Sequence, residues 1–169
     1  MRRIAFALLV ALMGCSACSE VPEDFHAVPE ETDTFIKDFE AQLGRRIRSE
    51  VGFTRTLPKN IHGKCIIELG HRYVVMNENT WPVTINKAAN RAKLYHEMGH
   101  CEIGRDHVAL KYVEIGPKQM GTKTINSLMI TEPMLQIGDF EWDCFKDYYF
   151  DELLRQPLKP MESYWSCPY

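Results

Sequence analysis

Residues 95–107 read Y-H-E-M-G-H-C-E-I-G-R-D-H and contain the pattern H-E-x-x-H. On an α-helix, His96 and His100 lie on one face because they are four residues apart, so both imidazoles can reach a single ion. Glu97 lies on the neighbouring flank, where its carboxylate can take a proton from a metal-bound water, as a general base in metal-assisted hydrolysis must. The stretch therefore predicts a helix that carries a catalytic metal site.

Gly104 provides the change of direction that a third ligand requires. Glycine readily adopts a positive φ, so it can end the helix and turn the chain back toward the ion. His107 follows Gly104 and would approach the ion from another direction. Three neutral imidazoles leave one tetrahedral position open for water, which is typical of catalytic rather than structural zinc. We therefore predict one zinc ion per chain, bound by His96, His100 and His107.

The residues before the motif predict the helix itself. Ala88 and Ala92 precede His96 at four-residue intervals, with Ile85 one turn earlier, so the histidines continue a small or apolar stripe that would face the interior. Asn86 is a suitable N-cap. The alternative is a buried helix whose histidines form only hydrogen bonds.

The motif resembles the signature of the metzincin clan of zinc metallopeptidases, H-E-x-x-H-x-x-G-x-x-H followed by a methionine turn. In that signature the third histidine occupies the position that is Asp106 here. One extra residue separates His100 from Gly104, and the spacing from Gly104 to His107 is intact, so we favour His107 after one additional helical residue. Asp106 is the alternative third ligand, because zinc also accepts a carboxylate oxygen. If His107 binds, Asp106 is expected to orient an imidazole.

The resemblance extends to the run Asn126-Ser127-Leu128-Met129-Ile130. It looks like the Ser-x-Met segment that forms the turn beneath the metal in the clan, which implies this position for Met129. A Leu-Met pair in an apolar run is also typical of an ordinary hydrophobic core. Thr131 stands where many metzincins carry a tyrosine, so a transition-state stabiliser would have to come from elsewhere.

The order of elements also resembles a group of small bacterial lipoproteins described as metallopeptidases. They share an H-E-x-G-H-C core, then G-x-D-H, then S-x-M, and the likeness is strong from about Tyr95 to Met129. The resemblance implies peptide-bond hydrolysis in the cell envelope. It names no substrate.

The amino terminus predicts export and lipid attachment. Arg2-Arg3 precede the short apolar run Ile4 to Met13, and Leu12-Met13-Gly14-Cys15 resembles a bacterial lipobox. This pattern predicts a signal peptide at residues 1–14 and a lipid on Cys15, with an ordinary secretory signal as the alternative. Ser16 after the cysteine is typical of outer-membrane sorting in Gram-negative bacteria. We expect an envelope protein that contacts the membrane through its lipid, because no later segment is long and apolar enough to span it.

Length and composition predict one domain. Residues 15–32 are acidic and contain prolines, which indicates a lipid anchor and flexible spacer. Residues 33–169 suffice for a single core. The basic residues form no extended run, which argues against nucleic-acid binding. We expect a monomer whose partner is a peptide or protein substrate.

The cysteines predict two disulfides. Four of the six lie in the predicted domain, at Cys65, Cys101, Cys144 and Cys167, and an even number suits an oxidising compartment. The sequence permits three pairings and selects none. Cys101 lies on a different helix face from His96 and His100, so a structural bridge is expected rather than metal ligation.

The remaining pattern predicts an α+β fold. The expected elements are a helix from Asp33 or Thr34 to Gly44, strands around Val51–Leu57, Lys64–Leu69, Arg72–Asn77 and Val108–Ile115, and a helix at Asp139–Leu154 with Phe140, Cys144 and Tyr148 near one face. Gly70-His71 predicts a hairpin between two of the strands. The metzincin resemblance implies a zincin-like arrangement, in which a small twisted sheet packs on the zinc helix and the last helix lies under the methionine turn.

Three functional hypotheses follow. The favoured one is a zinc metalloendopeptidase or related amide hydrolase in the cell envelope, with Glu97 as general base. The second is a zinc-binding envelope lipoprotein without efficient catalysis. The third is an envelope lipoprotein with a structural or partner-binding role and no metal.

Overall fold

The computed structural model describes residues 20–81, 87–116, 122–132 and 137–167. The strands are β1 (His26–Ala27), β2 (Glu50–Thr54), β3 (Gly63–Glu68), β4 (His71–Asn77), β5 (Tyr112–Glu114) and β6 (Lys123–Ile125), and the α-helices are α1 (Glu30–Leu43), α2 (Lys87–Met98) and α3 (Asp139–Leu153). This set of elements is an α+β architecture, as predicted. The signal peptide, Cys15, Ile85 and Asn86 lie outside the described residues. No described helix has the length and apolar character needed to cross a membrane.

Strands β1 to β4 form one sheet in the order β1-β2-β4-β3. β2 runs parallel to β4, whereas β1 and β3 each pair antiparallel with their neighbour. The β3–β4 hairpin is confirmed, and Leu69 and Gly70 both have positive φ at its tip. Among the described strands β3 pairs with β4 alone, so its other edge faces the helix that carries the histidines.

Different parts of the chain pack on the two faces of the sheet. Phe53, Val74 and Met76 are fully buried in the main core that includes α2. On the opposite face, Phe25 packs on Gly52 so closely that a Cβ at this position would overlap its ring. Residues 25–32, which the sequence assigned to a flexible spacer, therefore contribute a covering side chain, strand β1 and the first turn of α1.

Helix α1 starts earlier than predicted. It begins at Glu30, directly after Pro29, so the predicted start at Asp33 or Thr34 is wrong. The acidic side chains in its first turn lie at the positive end of the helix dipole, which favours the earlier start. Its end is confirmed, since Gly44 adopts the left-handed conformation with φ of 71°.

The second half of the chain departs from the prediction in two places. Helix α3 matches within one residue, but Phe140 is 66% exposed because the buried stripe begins at Trp142. β5 is shorter than the predicted strand and pairs with β6 in a separate two-stranded sheet. The N–H of Val108 instead donates to the carbonyl of Met129 at 3.0 Å, so this part of the predicted strand runs beside the Met129 turn.

Two disulfides are present, as predicted. Cys65 bonds to Cys101, and Cys144 bonds to Cys167. The first joins β3 to the residue that follows His100, and the second joins α3 to the C-terminal segment. Cys101 is therefore structural and is not a metal ligand.

Candidate metal centre

Helix α2 continues into a π-helical turn at Gly99–Ile103. A π turn closes its hydrogen bonds one residue later than an α turn, so it takes up one additional residue. The π turn contains the one residue by which this chain exceeds the pattern H-E-x-x-H-x-x-G-x-x-H. Gly104 then ends the helix with φ of 67°, as predicted, and His107 is directed back toward the helix.

The histidine trio, His96, His100 and His107, converges on one point. The Nε2 atom of His96 lies 2.9 Å from that of His107 and 3.0 Å from that of His100, and the third distance is 3.2 Å. Tetrahedral zinc with bonds of about 2.0–2.1 Å would hold its nitrogens about 3.3 Å apart. The trio is a possible metal-binding group, and Asp106 does not belong to it.

Carbonyl oxygens define the tautomers of two members of the trio. His96 Nδ1 lies 2.8 Å from the carbonyl of Leu128, and His100 Nδ1 lies 2.5 Å from the carbonyl of Arg105. An Nδ1–H that donates to a carbonyl leaves Nε2 without a proton, which is the form that binds a metal. The Nε2 lone pairs then face one another at short range, an arrangement that a cation would stabilise.

Burial keeps the inner imidazoles neutral. His96 is only 5% exposed, and this burial lowers its pKa to about 4. Burial also lowers the pKa of His100, while His107 is exposed. Metal ligation requires deprotonated imidazoles, so these residues are prepared for binding at neutral pH.

Glu97 lies between the helix and the edge strand. Burial raises the pKa of its carboxyl to about 7, and a hydrogen bond from the backbone N–H of Cys65 acts in the opposite direction. A Cβ at Gly63 would lie 2.7 Å from Cγ of Glu97, so glycine at this position lets the side chain lie against β3. The sequence analysis missed Gly63, because a single glycine before a strand carries no signal of what packs on it.

The Ser127–Met129 turn is anchored to α3. The N–H of Met129 donates to Oγ of Ser127, and this hydroxyl donates to Oε2 of Glu152 at 2.5 Å. The guanidinium of Arg105 forms a salt bridge with Oε1 of the same carboxylate. Glu152 therefore joins this turn to the segment that follows Gly104.

The segments that Glu152 joins are those that orient the histidines. One supplies the Leu128 carbonyl to His96, and the other supplies the Arg105 carbonyl to His100. Glu152 is thus a positioning residue for the trio through these carbonyls. No sequence motif marks it, because it lies near the end of α3, far along the chain from the histidines.

Met129 packs directly on the helical segment that carries His96 and His100. It is fully buried, and a Cβ at Gly99 would lie 2.6 Å from its sulfur. Gly99 therefore allows the close approach of Met129 at the residue before His100. The methionine turn beneath a metal, which the metzincin resemblance implies for Met129, stays a prediction.

Glu102 anchors the π turn on its other side. Its carboxylate accepts hydrogen bonds from Arg45, from the hydroxyl of Ser49 and from the backbone N–H groups of Arg48 and Ser49. Burial alone would raise its pKa, but these donors outweigh burial and lower it. This contact stabilises the irregular turn that positions His107.

Two pockets flank the trio along β3. We define the Lys93 pocket by His62, Gly63, Lys93, Thr131 and Glu132, and the Ile67 pocket by Lys64, Cys65, Ile67, Gly104 and Asp106. Gly63, Glu97 and His107 border both of them. The pockets therefore form an extended groove with the trio at its middle and an edge strand along one side.

Comparison of this chain with protein-family models, curated proteins and solved structures finds no match.

Proposed function

We propose that this protein is a zinc-dependent peptide-bond hydrolase with a zincin-like arrangement, in which the histidine trio holds the ion. The observation that carries the proposal is the convergence of three Nε2 atoms beside a half-buried carboxylate that is not part of the trio. Zinc at this position would supply Lewis acidity, which lowers the pKa of a coordinated water to near 7 and polarises a carbonyl.

Glu97 acts as the proton carrier. A general base works best when its pKa lies near the working pH, and burial places the pKa of this carboxyl at about 7. Its carboxylate takes the proton of the attacking water and returns it to the nitrogen of the departing amine. The N–H of Cys65 orients the carboxylate for both transfers.

The edge strand β3 suits an extended peptide. Its second edge, which pairs with no described strand, runs along the groove beside the trio, and peptides commonly bind by adding a strand to such an edge. Together with the Met129 turn packed on the helix, this layout supports the metzincin-like interpretation. Anchoring in the bacterial envelope through Cys15 is part of the same proposal, and its substrates would be peptides or proteins of that compartment.

A zinc-binding lipoprotein without catalysis is the competing proposal. One observation favours it. Thr131 stands where many metzincins carry a stabilising tyrosine, two residues after Met129, and it is exposed. The two proposals differ only in the role of Glu97, since both require the trio to bind zinc.

The variant Glu97→Gln separates them. We expect both wild type and variant to hold one zinc per chain, while cleavage of a fluorogenic peptide library falls by about 10²–10⁴-fold, the usual contribution of a general acid–base. Glu68→Gln, an exposed carboxylate on β3, is the matched control and should retain wild-type turnover. Unchanged turnover in Glu97→Gln would exclude the mechanism, and no turnover in wild type would favour the non-catalytic proposal.

A further inference from the structure

The Lys93 pocket contains a buried ammonium group. Lys93 lies one helical turn before Glu97 on α2 and is only 3% exposed. The pocket measures about 230 Å³, which is smaller than the roughly 300–1,000 Å³ of pockets that hold drug-sized ligands, so it suits one side chain. A cation at its wall should select what enters.

Lys93 lacks a carboxylate partner among the described residues. Its Nζ donates to the carbonyl oxygen of Thr80 at 2.7 Å, which is a neutral acceptor. An ammonium carries three donors, so further donors remain for a ligand. Burial lowers its pKa to about 8, so the group still carries its charge at neutral pH. A buried charge without an opposite charge is costly, and an incoming carboxylate would offset that cost.

His62 adds a second polar atom without a partner. Its Nδ1 is buried and makes no hydrogen bond to the described residues. Burial, and then the charge of Lys93, lower its pKa, so the imidazole is neutral and its Nδ1 can donate in one tautomer. Glu132 brings a negative charge to the same pocket, but it is exposed and therefore screened by solvent.

The direction of β3 determines which substrate residue reaches this pocket. The strand runs from the Lys93 pocket, at Gly63, toward the Ile67 pocket. A peptide that adds antiparallel runs the other way, so its chain passes the Ile67 pocket first, then the trio, then the Lys93 pocket. The residue that directly follows the scissile bond would therefore enter the Lys93 pocket.

We propose that the Lys93 pocket selects an aspartate or glutamate side chain immediately after the scissile bond, with the carboxylate bound by Lys93 Nζ and His62 Nδ1. This inference rests on the proposed function and on antiparallel addition of the substrate to β3, because together they place the residue after the scissile bond at the Lys93 pocket. It assigns acidic peptides as the substrate class.

Binding of hydroxamates tests the proposal without requiring turnover. Three peptidyl hydroxamates would differ only in the first side chain after the metal-binding group, which resembles aspartate, asparagine or leucine. Calorimetry with zinc-loaded wild type should show the aspartate analogue binding at least about tenfold more tightly than the asparagine analogue, which has the same shape. Equal affinities, or no binding by any of the three, would overturn the proposal.

Variants locate the source of the preference. In Lys93→Met the ratio of the two dissociation constants should fall to about one. Lys146→Met removes the same charge from an exposed position on α3, outside both pockets, and should keep the wild-type ratio. If Lys93 only stabilises the Thr80 carbonyl, the Met variant will lose stability and keep the ratio, which would overturn the proposal. Lys93→Gln serves the same purpose if the Met variant does not fold.

The peptide library distinguishes this proposal from the proposed function. Cleavage without an acidic preference after the scissile bond would leave hydrolysis standing and refute the role of Lys93. An aspartate preference in hydroxamate binding without cleavage of any peptide would refute hydrolysis and support the pocket.

Discussion

The carboxyl of Glu97 should produce a measurable pH dependence of stability. Its folded pKa is about 7, above the ordinary value of 4.5, so the folded state holds the proton more tightly than the unfolded chain. The contribution of this carboxyl to the free energy of unfolding therefore falls as the pH rises from its unfolded pKa through its folded pKa. Above the folded pKa this contribution is constant. Glutamine does not titrate, so the free energy of unfolding of Glu97→Gln does not contain this decrease.

We expect the variant to gain on wild type, in free energy of unfolding, by roughly 2 kcal/mol between about pH 5 and about pH 8. Urea denaturation of both proteins in the presence of a chelator measures this difference. The exposed Glu68→Gln variant should show no such gain. A Glu97→Gln difference that does not change with pH would show that the carboxyl is not destabilised as an anion.

At the same scale, the residues of the site differ in how far they could be predicted. His96, Glu97, His100 and His107 follow from local spacing, because helix geometry and one glycine bring them together. Gly63 and Glu152 could not be found in this way. Their roles depend on which side chain packs opposite them, and such contacts join positions far apart in the chain.

Among the elements, the π turn takes up the additional residue of the motif and sets the direction from which His107 approaches the other two histidines. An α-helical continuation would have left the extra residue to the loop and changed the direction in which His107 approaches. The sequence predicted an additional helical residue before Gly104, and the π turn is the physical form that it takes. Glu102 on one side and the Cys65–Cys101 bond on the other hold this turn.

The two disulfides give a matched test at this scale. They join residues 36 and 23 positions apart, so the chain-entropy model assigns each about 3–4 kcal/mol. Only Cys65–Cys101 ties the edge strand to the residue after His100. Replacing this pair by serine should weaken zinc binding at least about tenfold, whereas replacing Cys144 and Cys167 should lower stability and leave zinc affinity within about twofold.

Competition with a chromophoric chelator measures the zinc dissociation constants, and circular dichroism reports whether each double variant is folded. Equal zinc affinity in the two folded variants would contradict the assigned role of Cys65–Cys101. The Cys144–Cys167 variant thus controls for a general loss of stability.

For the whole molecule, local elements were predicted better than their pairing. The β3–β4 hairpin, the end of α1 and the position of α3 follow from turn residues and periodicity. The parallel pairing of β2 with β4 and the separate β5–β6 sheet depend on tertiary contacts that no single segment encodes. The start of the packed chain was missed because the apolar content around Phe25 is low, although this ring packs against Gly52 and Tyr73 of the sheet.

The central claim is that the histidine trio binds zinc, and anomalous diffraction at the zinc edge tests it most directly. Crystals of the protein grown with zinc should show one strong anomalous peak about 2.0–2.1 Å from all three Nε2 atoms, with one further position open to solvent. A peak that excludes His107, or no peak between these imidazoles at full zinc loading, would contradict the account.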